Sequence, residues 1–523
     1  MFFKPKTKKK HCFSPVVLLI WDGFGVSKNK FGNAVMAAKM PNWHTLLSNH
    51  PHTLLKADGE AVGLPANETG NSEVGHTAIG AGRPVKSDKI KINQAIGSKH
   101  FEDNPALVQA ALHALRKGST LHLMGLLTNH QSGHADFGHI SALIDFAKHL
   151  KLPKVAFHIF TDGRDTAPFH ATKLLVELER RLTPQMRIAT VMGRFYAMDR
   201  DRNWQRTALA YNAMTNSEGV VCDSAVNAIE HAYTRGESDE FILPTIVIPP
   251  GGQPIAVRNN DAVFFWNLRS DRARQMVKPF IQHEFEKRNA HAFKRHVIRR
   301  DLYFATMTEF GKQIDSAVAA FPHQPISGTI VEALRTERQI YIAESEKYAQ
   351  VTYFLNGGSD APRFGEERVR IQSIRTASFE NYPQMRANEI AHSVIKAVQG
   401  KYNFICANFA NPDMVGHTGN LSATVKACEA LDDPLGKIWK AVQKAGGSLF
   451  VTADHGNAEQ LFGPHGDLDT HHNPNPVPFL AAVPGKANIK LRTGTLADVA
   501  PTILANMCIK PTDEMKGRNL LAL

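Results

Sequence analysis

Seven residues of metal-ligand type stand where apolar runs end. Asp22 closes Val16-Val-Leu-Leu-Ile-Trp-Asp22, and Asp413 and His417 stand four apart in Asn411-Pro-Asp-Met-Val-Gly-His417-Thr-Gly. Asp454 and His455 follow Gly447-Ser-Leu-Phe-Val-Thr-Ala, and His471 and His472 lie in Asp469-Thr-His-His-Asn-Pro-Asn-Pro. Hard carboxylates mixed with imidazoles suit Mn²⁺ or Zn²⁺ better than Ca²⁺. The set is too large for one tetrahedral site and large enough for two ions. Paired ions about 3.5–4 Å apart clamp the attacking and leaving oxygens of a phosphoryl transfer. A lone Asp-His pair more often forms a turn or a helix cap; three clusters that each close a buried run point to a metal centre.

The nucleophile for such a transfer is expected at Ser72. Leu64-Pro-Ala-Asn-Glu-Thr-Gly70-Asn71-Ser72-Glu73-Val-Gly75-His76 has the form of a glycine-flexed loop entering a helix, with Asn71 as the N-cap. A helix N-terminus offers unpaired N–H groups and positive dipole to a phosphate. A serine there, beside a metal, ionises without a histidine base because coordination lowers its hydroxyl pKa. Taken alone, Asn-Ser would be read as a cap; beside a two-metal site it is read as the nucleophile.

A third group gathers arginines. Asp162-Gly-Arg164-Asp165-Thr166, Gly193-Arg194 running on to Asp199-Arg200-Asp201-Arg202, and Asn267-Leu-Arg269-Ser-Asp271-Arg272 each follow a strand-like run. The planar guanidinium fork binds carboxylate and phosphate bidentately, so several arginines at strand ends predict a small polyanionic substrate. His134, in Gln131-Ser-Gly-His134-Ala-Asp136, is placed by spacing alone no more firmly as a ligand-binding than as a structural histidine.

The elements that must position these groups read as α/β. Continuous apolar runs bounded by Gly or Asp are central strands of a sheet covered on both faces, and ligands gather beyond their carboxyl ends. One such strand lies near the N-terminus and two lie past residue 400, with helices expected over Glu389–Gln399 and Leu421–Lys444. Between them, Thr120–Leu127, Lys154–Thr161, Arg187–Val191 and Asp261–Asn267 form a second alternating set. The expected architecture is therefore two α/β domains, a discontinuous one (13–85 and 321–523) carrying the metals and an inserted one (86–320) carrying the arginine loops.

Composition narrows the function classes. The 523 residues are 43% apolar and 21% charged, enough for large cores and against disorder. No apolar run approaches the roughly 20 residues of a membrane helix. The N-terminal lysines Lys4, Lys6, Lys8, Lys9 and Lys10 are followed by no apolar segment of the secretory type. The formal charge of +12 suits anionic metabolites or nucleic acid, but no zinc-finger spacing or aromatic-basic interleaving is present, so no nucleic-acid partner is expected. Five scattered cysteines show neither a disulfide framework nor a C-x-x-C site, and a cytoplasmic location is expected.

From about Val16 to the C-terminus the chain resembles the cofactor-independent (2,3-bisphosphoglycerate-independent) phosphoglycerate mutases of the alkaline phosphatase superfamily. The likeness rests on Gly70-Asn-Ser-Glu-Val-Gly-His76, Asp162-Gly-Arg-Asp-Thr166, Asn411-Pro-Asp-Met-Val-Gly-His-Thr-Gly419 and Thr452-Ala-Asp-His-Gly-Asn457. The resemblance implies an isomerase of glycolysis and gluconeogenesis that interconverts 3-phosphoglycerate and 2-phosphoglycerate through a phosphoserine, without 2,3-bisphosphoglycerate. It implies two divalent ions, Mn²⁺ first, with Zn²⁺, Mg²⁺ or Co²⁺ as alternatives. One ion would be held by Asp413, His417 and His472, the other by Asp22, Ser72, Asp454 and His455, leaving His471 a neighbour. Substrate contacts carry over to His134, Arg164, Asp165, Arg194, Arg200, Arg269, Arg272 and Lys347, with Ser72, Asp165 and Lys347 as the catalytic residues. A monomer with no membrane or nucleic-acid partner is expected. Two loops depart from the family pattern: Thr128-Asn-His-Gln-Ser-Gly before His134 is one residue longer, and Ser270 replaces the usual proline after Arg269.

Overall fold

The computed structural model describes residues 12–129, 132–311, 314, 316–376, 378–463 and 466–521. The N-terminal lysines, and His130 and Gln131 of the lengthened loop, lie outside the described residues. In chain order the strands are β1 (Val16–Trp21), β2 (His52–Lys56), β3 (Leu121–Leu127), β4 (Val155–Thr161), β5 (Met186–Gly193), β6 (Val220–Cys222), β7 (Thr245–Val247) and β8 (Ala262–Phe265). They continue with β9 (Tyr303–Thr308), β10 (Val318–Phe321), β11 (Gln339–Glu344), β12 (Glu366–Ile371), β13 (Phe404–Phe409), β14 (Ser448–Thr452), β15 (Val477–Ala482) and β16 (Gly494–Thr495).

Two compact units form, one from the chain through Ser87 and from Pro325 onward, the other from Asp88–Gln324. In the first, the sheet order is β12-β11-β13-β1-β14-β15-β2-β16. Its central strands β11, β13, β1 and β14 run parallel, and β15 reverses direction. Every residue of β1, β11, β13 and β14 is buried, as expected where helices cover both faces. In the second unit the order is β10-β9-β8-β3-β4-β5-β7-β6, with only the β5–β7 pairing antiparallel. Each sheet has its own apolar core, one built around Val16–Trp21 and Phe404–Phe409, the other around Leu121–Leu127 and Phe157–Phe160.

The helix expected over Leu421–Lys444 divides into Leu421–Glu429 and Asp432–Lys444. Pro434 explains the break, because it has no N–H to give to the preceding turn and is tolerated only in a first turn. Asp432 takes up the joint, accepting hydrogen bonds from the backbone N–H groups of Asn42 and Trp43. The absence of an expected disulfide framework also needs correction. Cys12 pairs with Cys508 across 496 residues of sequence, a proximity created when the two ends of the chain pack in the same unit. Cys222, Cys406 and Cys428 are free and buried. Among the described residues no helix is long and apolar enough to cross a membrane.

Candidate active site

Strands β11, β13, β1 and β14 end side by side, and their carboxyl ends lead to Lys347, Asp413, Asp22 and the Asp454–His455 pair in that spatial order. Gly23 lets two of these ends approach. A Cβ there would lie 2.8 Å from the Asp413 Cα, and its φ of +72° is one that L side chains rarely adopt. Ser72 begins the helix Ser72–Ala81, where Asn71, with extended backbone, caps the N–H groups of Glu73 and Val74. Gly75 allows that helix to lie against Asp454, whose carbonyl oxygen would be 2.5 Å from an added Cβ.

Around Ser72 the geometry is dense. Its hydroxyl lies 3.1 Å from Asp22 Oδ1 and 2.9 Å from His455 Nε2, and accepts a hydrogen bond of 2.8 Å from Lys347 Nζ. The same ammonium donates to Asp22 Oδ1 at 2.7 Å and to Asp413 Oδ2 at 2.6 Å. Asp413 Oδ1 is 3.2 Å from His472 Nε2 and 3.4 Å from His417 Nε2. The Nδ1 atoms of His417 and His472 hydrogen-bond to the carbonyls of Thr470 and Gly70, which orients both rings with Nε2 toward Asp413. Buried amides complete the shell: Asn408 donates to Asp22 and Asn457 to Asp413. His471 is exposed and pairs with Asp469 instead.

The electrostatics follow from three fully buried carboxylates in one place. Burial alone would raise Asp22 and Asp413, but the Lys347 charge and hydrogen bonds from histidines outweigh it and hold both well below the usual carboxylate range. Burial disfavours the His455 imidazolium, yet Asp454, Asp22 and Asp413 raise it to about 9. Lys347 is likewise held protonated against burial by Asp22, Asp413 and Asp454. Such a field favours cations, and the oxygen and imidazole donors fit divalent transition metals. Ligand atoms close enough to share an ion occur in Asp413, His455 and His472, and in Asp22, His76 and Asp454. This grouping differs from the expected partition by drawing His455 toward Asp413 and by adding His76. His76, fully buried, has Nδ1 hydrogen-bonded to the Ser72 carbonyl at 2.9 Å and lying 3.1 Å from Asp454 Oδ2. The signal for His76 was its place four residues after Ser72, on one helix face.

The second unit assembles the remaining residues the same way, at the ends of the neighbouring strands β8, β3, β4 and β5. Arg194, almost fully buried, donates to Asp162 Oδ1 at 2.6 Å and lies 3.2 Å from Asp165 Oδ2. Asp165 also accepts from Ser132 Oγ at 2.6 Å. Despite burial, hydrogen bonding from Ser132 and the charge of Arg194 lower its pKa. His134 lies 4.0 Å from Asp271 Oδ1, and burial, then Arg194, push it down to about 4, so its ring is neutral near pH 7. Arg200 bonds Asp271 at 3.0 Å, Arg269 lies 4.0 Å from it, and Arg164 faces Glu240 at 3.5 Å. Arg272 is partly buried among Arg200, Arg194 and Arg164, and burial and their repulsion lower its pKa. A cluster with this surplus of guanidinium groups favours a small polyanion. Sequence reasoning missed Ser132, Asp162 and Asp271 as organisers of this cluster. Asp162 and Asp271 lie inside the quoted arginine motifs, whereas Ser132 carries no pattern of its own.

A family model described as the Metalloenzyme superfamily matches residues 14–511. The 2,3-bisphosphoglycerate-independent phosphoglycerate mutase of Moorella thermoacetica is 43% identical over 97% of this chain and 98% of its own length. That of Methanococcoides burtonii is 44% identical, with 97% and 98% covered. A crystal structure of Leishmania mexicana phosphoglycerate mutase at low cobalt concentration superposes with a TM-score of 0.76 at 28% identity, covering 98% of each chain. The chain belongs to the 2,3-bisphosphoglycerate-independent phosphoglycerate mutases of the Metalloenzyme superfamily.

Proposed function

We propose that this protein is an isomerase that interconverts 3-phosphoglycerate and 2-phosphoglycerate, without 2,3-bisphosphoglycerate, through a phosphoserine at Ser72. The observation that carries the reading is the surroundings of one oxygen: Ser72 Oγ lies within 3.1 Å of Asp22, His455 and Lys347 at a capped helix N-terminus. Two divalent ions, Mn²⁺ in the first instance, would be held by Asp413, His417 and His472 and by Asp22, Ser72, Asp454 and His455. They would supply a lowered pKa for the Ser72 hydroxyl and charge neutralisation for the phosphoryl oxygens.

Ser72 Oγ forms its bond to phosphorus as the P–O bond to C3 of the substrate breaks. Lys347, protonated and 2.8 Å from Ser72 Oγ, stabilises negative charge on that oxygen before attack and again when it leaves. The glycerate turns, its C2 oxygen attacks phosphorus, and Ser72 is released. Across the two halves one hydroxyl of glycerate gains a proton and the other loses one. The proton the C3 oxygen gains as it leaves is matched by the one Ser72 loses on attack. In the second half Asp165, ionised and held by Arg194 and Ser132, accepts the proton the attacking C2 hydroxyl loses and gives it up as Ser72 regains its own. The arginines bind carboxylate and phosphate, and neutral His134 offers a hydrogen bond without adding charge.

The test is the mutase reaction itself, run on purified protein with Mn²⁺ and no 2,3-bisphosphoglycerate. Formation of 2-phosphoglycerate from 3-phosphoglycerate supports the reading. Release of inorganic phosphate with no 2-phosphoglycerate would make the protein a phosphomonoesterase instead.

A further inference from the structure

We infer that Ser132 is a positioning residue for catalysis, holding Asp165 and His134 in register from the lengthened loop after β3. The inference rests on the reading of Asp165 as the general acid/base. Ser132 is 1% exposed and uses both sides of its hydroxyl. It accepts from the His134 backbone N–H at 3.1 Å, a local turn that any serine two residues upstream can make. That bond accounts for the lone pair and not for the proton. The O–H is donated to Asp165 Oδ2 at 2.6 Å, across to the loop after β4. A bond this short to a carboxylate is charge-assisted and stronger than a neutral one.

The other groups facing Asp165 are Arg194, 3.2 Å from the same oxygen, and His134, while Asp162 accepts from the Asp165 backbone N–H. Arg194 is itself shared with Asp162 at 2.6 Å, so it cannot fix the carboxylate alone. Ser132 supplies the second fixed point. Because it also anchors the backbone of His134, one hydroxyl ties together two groups of the proposed substrate site.

The experiment is a double-mutant cycle on the Mn²⁺-loaded full chain, using Ser132→Ala, Asp165→Asn and the double variant. Removing a hydrogen bond to a charged group should lower kcat about ten-fold or more for Ser132→Ala, with KM changed less than about two-fold. Asp165→Asn should lose about 10²-fold or more, and adding Ser132→Ala to it should cost much less than it costs the wild type, because the donated bond acts through Asp165 and only the hold on the His134 backbone remains to be lost. Ser132→Cys keeps the shape with a weak donor and should repeat the kcat loss if the alanine variant does not fold. Wild-type kcat in the Ser132 variants, or losses that multiply in the double variant, would overturn the inference while leaving Asp165 as acid/base. Near wild-type turnover in Asp165→Asn would instead overturn the acid/base reading on which it rests.

Discussion

The Lys347 ammonium nitrogen lies 2.8 Å from the Ser72 hydroxyl oxygen, joining the end of β11 to the N-terminus of a helix 275 residues earlier in the chain. With Asp22 and Asp413 beside it favouring the protonated form, the role proposed for the ammonium is that of a fixed positive charge and not of a base. Lys347→Met keeps the stem and removes the charge. The expected result is a fall in kcat of about 10²–10³, comparable with loss of one preorganised oxyanion donor. Steady-state kinetics at saturating Mn²⁺ check this, and kcat within a few-fold of wild type would remove Lys347 from the catalytic set.

Chelation should abolish activity, and Mn²⁺ should restore it better than Mg²⁺, since sites mixing Asp with His favour transition metals. Elemental analysis alongside the assay decides the matter. Full activity in protein free of transition metals would rule out this assignment.

Much of this centre was legible because its signals are local. An apolar run ending in Asp places Asp22, Asp413 and Asp454 at strand ends, and the parallel sheet then sets those ends beside one another. Asn71 before Ser72 announces the helix start that the structure shows. What the sequence hid depends on tertiary approach. His76 meets Asp454, and Asn408 meets Asp22, only once the helix and sheet pack. Cys12 and Cys508 carry no spacing signal at 496 residues apart, and the break before Asp432 needed Pro434 to be weighed above the apolar periodicity around it.

Arginine and serine should separate kinetically. Ser72→Ala removes the atom that bonds phosphorus, so mutase activity and any phosphatase side activity should vanish together. Arg269, half-exposed near Asp271, only holds the substrate, so Arg269→Ala should damage the mutase reaction more than hydrolysis. Parallel assays with 3-phosphoglycerate and a simple aryl phosphate test the split. Equal losses in the arginine variant would contradict it.

A buried histidine pair sets a stability limit on the acid side. His122 and His158, on β3 and β4, share a 2.9 Å hydrogen bond and are both fully buried. Burial, then the His122 charge, pushes His158 well below its ordinary value of 6.5. A depressed folded-state pKa means the unfolded chain takes up the proton first. The His158 contribution is therefore complete above about pH 6.5 and declines as pH falls toward the folded-state pKa, by at most about 1.4 kcal/mol per pH unit. Metal-free wild type should lose thermal stability between pH 6.5 and 5 more steeply than metal-free His158→Gln. Identical slopes would show that the pair does not govern acid stability.

The central claim is that the phosphoryl group passes through Ser72. The most direct measurement is acid quenching of the Mn²⁺-loaded enzyme during turnover of ³²P-labelled 3-phosphoglycerate, followed by peptide mapping. The account predicts acid-stable label on the peptide containing Ser72, and none in Ser72→Ala. An active enzyme that carries no label there, or carries it on another residue, would contradict the account.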